Sequence, residues 1–131
     1  MQNTSDTRRK IDEFCQQSGK YPPDAYEFIT SCVIEQINTL EQIRHLSAQE
    51  LLAGLKKQLR EKFGFLAGNV LDLWNIKSAS DVGQIIFDLI HINILSAADD
   101  DKQSDFEINF SLTDQSVQHK LDHILEIPKI D

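Results

Sequence analysis

The chain has 131 residues, 40% of them hydrophobic and 26% charged, a composition that fits one folded domain with a single apolar core. Thirteen Lys and Arg against 21 Asp and Glu leave a formal charge of -8, which repels phosphate backbones at long range, so a nucleic-acid binder would need a local basic face. No apolar run approaches the roughly 18 residues of a membrane span, and the basic start "MQNTSDTRRKIDEF" has no apolar segment behind it; neither a span nor a secretory signal is expected, and a cytoplasmic protein is.

Residues 1–20 are polar, with Ile11, Phe14 and Cys15 as their one apolar pattern, enough for a short helix on the core or a loose arm. Tyr21, Pro22 and Pro23 stop any helix, and Asp24 with Glu27 reads as an N-cap and its N3 acid in the manner of a capping box. From Ala25, apolar residues at 25, 28, 29, 32, 33, 37 and 40 keep helical spacing and predict a core helix to Leu40. In "LSAQELL", Ser47 and Glu50 can cap each other's amides while Leu46 packs on Leu51 as a hydrophobic staple. Leu51, Leu52, Leu55, Leu59 and Phe63 then form one face, and Gly64 is placed to end the helix.

The next segment, "FLAGNVLDLWNI", is apolar nearly all round and is expected to lie centrally, with Trp74 packed near its end. Ser78 or Ser80 caps the following helix, whose Val82, Ile85, Ile86, Leu89 and Ile90 make a buried face. Gly83 in its first turn costs about 1 kcal/mol relative to Ala and predicts the close approach of another backbone. Farther on, Phe106, Ile108, Phe110 and Leu112 alternate with Glu107, Asn109 and Ser111, the pattern of a half-buried strand. A strand must pair, and "HINILS" across the Asp-rich loop is the nearest candidate; if the helix instead runs on to Leu95, the partner must come from elsewhere, such as a second subunit. The tail "DQSVQHKLDHILEI" offers Val117, Leu121, Ile124 and Leu125 for a last amphipathic helix.

The expected fold is mainly α with a small C-terminal β element: an arm or short helix over 1–20, a helical core with the β element over 21–112, and an amphipathic helix or tail over 113–131. Four to five helices are expected, in an order resembling a winged helix, with "FLAGNVLDLW" and "SASDVGQIIFDLI" as the helix pair.

Chemistry-bearing motifs are sparse. Cys15 and Cys32 lack metal or disulfide spacing and read as buried thiols. Lys56, Lys57, Arg60 and Lys62 could grip phosphates, but they read more simply as a solvent face with Lys57 and Glu61 paired at i, i+4. "DDDKQSD", with Asp99, Asp100, Asp101 and Asp105, invites calcium. An EF-hand needs Gly at the sixth place and Glu at the twelfth; counting from Asp99 these are Ser104 and Phe110, and from Asp101 they are Phe106 and Leu112. His119 and His123 have the i, i+4 spacing of metal ligands, yet position 120 is Lys rather than a catalytic Glu, and only Asp122 or Glu126 stands near as a third ligand. They are weak metal candidates. His45 and His91 have no visible acid or nucleophile partner, there is no phosphate loop or nucleophile elbow, and five glycines leave little for a cofactor cradle. Neither a cofactor nor a catalytic residue is expected, and an enzyme with a site assembled from distant positions ranks third.

Several pieces combine into a recognisable pattern. Arg44 to Gly54 fit "RH[VL]S.QELL.G", Phe63 and Gly64 precede a helix ending "W.I" at Trp74 and Ile76, and Ser78, Asp81, Gly83, Ile85, Phe87 and Leu89 fit "S..D.G.I.F.L", with "DAYEFI" upstream. Over roughly residues 21 to 112 the chain resembles an uncharacterised family of short proteins described as restricted to planctomycetes, verrucomicrobia and their relatives. Its members often continue with a short acidic segment and a Phe-containing, strand-like end. The family has no assigned activity, so the resemblance carries over no functional residue. Where members read "GLL" after the fourth helix, this chain has Asn93, Ile94 and Leu95, and the missing glycine puts a sharp helix end in doubt.

The leading functional expectation is a non-enzymatic protein-interaction or regulatory module. A protein partner or a second copy would be recruited at the edge of Phe106, Ile108, Phe110 and Leu112. The alternative is a winged-helix-like nucleic-acid binder. It is disfavoured because from Ser78 to Leu112 the single cation Lys102 faces Asp81, Asp88, Asp99, Asp100, Asp101, Asp105 and Glu107.

Overall fold

A computed structural model describes residues 4–42, 46–96, 103–108 and 110–113. Among them are five α-helices: α1 (Thr4–Ser18), α2 (Pro23–Asn38), α3 (Ala48–Phe63), α4 (Ala67–Leu73) and α5 (Ala79–His91). One 3-10 turn, Gly64–Leu66, leads into α4, and another, Gln103–Phe106, follows α5. The fold is thus mainly helical, and no strand is present among the described residues.

α2 is the central element, packed against α1, α3 and α5. Its buried side chains, Ala25, Tyr26, Phe28, Ile29, Cys32 and Val33, follow the helical spacing of the sequence, because one stripe must face the core. Its start differs from the expectation. Pro22 and Pro23 occupy the N-cap and first helical positions with no side-chain cap, so Asp24 does not cap. Proline already supplies the helical φ, and its missing N–H is one of the amides left unpaired at a helix start in any case. Asp24 and Glu27 instead pair with Arg8 of α1, Asp24 at 3.4 Å. α1 therefore docks through a buried Ile11 and half-buried Phe14 and Cys15, with these ion pairs at its rim.

α3 begins as its sequence dictates: the Glu50 amide donates to Ser47 Oγ at 3.1 Å and the Ser47 amide to Glu50 Oε1 at 3.0 Å. Leu52, Leu55 and Leu59 are buried, and Gly64 ends the helix with a φ of 59°. Phe28, Phe63 and Trp74 then join α2, α3 and the end of α4, with ring centroids 5.4 to 5.9 Å apart.

α5 carries the other half of the core through Val82, Ile85, Ile86 and Leu89. It stops sharply despite the missing glycine. Asn93 takes the left-handed conformation at φ 65°, its amide donating to the Ile90 carbonyl at 3.0 Å and the Ile94 amide to the Leu89 carbonyl at 2.9 Å. These two bonds define a Schellman ending, with Asn in the glycine's place. α4 ends the same way at Asn75, φ 62°, whose amide bonds Asp72 while that of Ile76 bonds Leu71. "HINILS" therefore holds a helix end and a turn, so the expected strand partner does not form there.

Candidate docking face

Two tyrosine–carboxylate pairs tie the start of the α2 region to α5. Tyr21 donates to Asp81 Oδ1 at 2.6 Å, and Tyr26 to Asp88 Oδ2 at 2.7 Å, with Gln84 donating to the other Asp88 oxygen at 2.8 Å. Burial and the adjoining carboxylates push both phenols well above the ordinary tyrosine value. Burial disfavours ionisation of Asp81, but the Tyr21 hydroxyl and the amides of Lys77 and Ser78, at 2.7 and 3.2 Å, more than compensate and hold it below its ordinary value. Burial likewise raises the Cys15 thiol and pushes Cys32 up to about 12, so neither is a ready thiolate at neutral pH. These groups are tied to one another by hydrogen bonds and serve as fasteners. Among the described residues no three His, Cys, Asp or Glu side chains converge to hold a metal ion.

The residues expected to present a strand edge close the domain's own core instead. Phe106 is buried at the end of the second 3-10 turn, its side chain lying over Gly83 of α5. The close approach that Gly83 signals is therefore made by a side chain, not a backbone. Leu112 is buried, Phe110 half-buried and Ile108 exposed, while Asn109 lies outside the described residues. Alternation in sequence arises here because a non-repetitive segment drapes apolar side chains onto helices, with no extended neighbour to pair with among the described residues. His119 and His123, the weak metal candidates, and the tail helix expected over 113–131 fall outside the described residues beyond Thr113, as does His45; His91 is exposed in the last turn of α5.

The prominent uncovered feature is α4. The expectation of a helix buried all round does not hold: Ala67, Leu71 and Trp74 face inward, but Leu73 is 78% exposed, Phe65 54% and Leu66 51%. Leu66 and Leu73, seven residues apart, lie on one line along the helix, and the exposed Asn69 and Asp72 share that outward side. Ile34 and Ile37 of α2 are also exposed, but three large apolar side chains gather at α4. Beside it runs a groove of about 390 Å³, walled by Asn69 and Asp72 on one side and by residues 110–113 on the other. Lys77 lines it too, with Nζ 3.2 Å from Asp72.

No helix among the described residues is long and apolar enough to cross a membrane. Compared with known protein families, curated proteins and solved structures, the chain matches none.

Proposed function

We propose that the protein is a non-enzymatic interaction module that receives a partner protein on the outward face of α4. The observation that carries this reading is the exposure of Leu73, Leu66 and Phe65 on one short helix whose inner side is fully used in the core. Bare apolar side chains gathered in one place cost free energy in water that an apolar partner surface recovers. With a formal charge of -8 on the chain and Asp72 within the face, the favoured partner is a protein offering an apolar ridge flanked by Lys or Arg. A second copy brings the same charge and is disfavoured on that ground. Membership of the planctomycete and verrucomicrobial family stands as a proposal on the motifs from Arg44 to Leu89.

Capture from a lysate of the native cell, run in parallel with the wild-type chain, Leu73→Asp and the control Lys57→Asp on the opposite-facing side of α3, tests the proposal. A protein retained by the first and third and lost by Leu73→Asp is the expected result. Equal capture by all three chains would move the site elsewhere. A low-salt gel shift supplies the competing result, since salt-sensitive DNA binding would favour the nucleic-acid reading.

A further inference from the structure

We propose that residues 114–131 of this chain occupy the α4 face in cis, so that a partner must displace them; the proposal rests on the reading of that face as a docking surface. Thr113, the last described residue, lines the groove together with Asn69 and Asp72, which also lie on the outward side of α4 beside Leu66 and Leu73. The chain therefore leaves the domain at the rim of the apolar face. The remaining segment carries Val117, Leu121, Ile124 and Leu125, spaced i, i+4, i+7 and i+8, which gathers apolar side chains onto one side of a helix. From Thr113 to Val117 the chain can reach about 13 Å, against a length of about 10 Å for the seven residues of α4. The first apolar residue of the segment thus comes within range of Leu66 or Leu73 while everything described stays in place.

Charge does not oppose this contact strongly, because Lys120 and Lys129 offset part of Asp114, Asp122, Glu126 and Asp131. A short tether also raises the effective concentration to roughly the millimolar range, so even a weak apolar contact would be occupied.

Trypsin digestion of the full-length chain provides the test, because Lys120 lies among the apolar positions of the segment. Cleavage after Lys120 is expected to be at least about tenfold slower in the wild type than in Leu73→Asp, as for any site cut only from an opened state. Leu66→Asp serves as the second variant, and far-UV circular dichroism verifies that both chains fold. Equal cleavage rates in wild type and variants would overturn the proposal. So would protection that grows with protein concentration, because the segment would then come from a second copy. Equal rates together with loss of partner capture by Leu73→Asp would remove the segment from the face and leave the docking surface standing. Slow wild-type cleavage with no captured partner would do the reverse.

Discussion

At Gly83 an added Cβ would lie 2.6 Å from the Cβ of Phe106 and 2.8 Å from its Cγ. Alanine normally improves a helix by about 1 kcal/mol over glycine, but here the overpacking reverses the sign. Gly83→Ala is expected to lower stability by about 1–3 kcal/mol in urea denaturation, and a variant as stable as wild type would mean that Phe106 does not sit against α5. The tyrosines give a second residue-scale prediction, since Tyr21 and Tyr26 are the only two in the chain. Both phenols are raised in the folded state, first by burial and then by Asp81 and Asp88. Their contribution to stability is therefore complete below the ordinary value of about 10 and is lost as pH rises above it. In an alkaline absorbance titration, tyrosinate should appear late and together with loss of the helical signal. Two tyrosines ionising near pH 10 in a still-folded chain would contradict the pairs. Asp81 works in the opposite direction: its lowered value means that its contribution is present above the usual carboxylate range and fades as pH falls through the folded value.

The ends of the helices are where local sequence was most and least informative. Ser47 with Glu50 was legible because a capping box spans four consecutive residues and needs nothing from the rest of the chain. Asp24 and Glu27 carry a similar pattern, yet they pair with Arg8, a contact across 16 and 19 residues that spacing alone does not reveal. The buried stripe of α5 followed from its period, whereas four alternating apolar residues from Phe106 could not separate a strand from an irregular segment packed on helices. Nor does an apolar helix announce which of its sides stays bare, which is why the α4 face emerged only from the packing. Asn93 shows that a glycine signal can be carried by another residue, since asparagine tolerates the left-handed region better than other side chains. Asn93→Ala is expected to cost about 1 kcal/mol, while Asn93→Gly should stay within about 0.5 kcal/mol of wild type. Thermal unfolding of the two variants checks this; equal losses in both would mean that the asparagine side chain matters more than the backbone conformation.

The whole molecule is a helical core fastened by tyrosine–carboxylate pairs and an aromatic cluster, closed on one side by residues 103–108 and 110–113 and left open along α4. Its negative charge sets the sign of what it can attract, and the bare leucines set where contact is made. The reading as an interaction module stands or falls with that face, and site-specific photo-crosslinking addresses it directly. A photoreactive residue placed at Leu73 and, as control, at Lys57 would be irradiated in the native cell. The account predicts a discrete adduct from position 73, to a partner protein or to residues 114–131 of the same chain, and none from position 57. No adduct from position 73, or the same adducts from both positions, would contradict it.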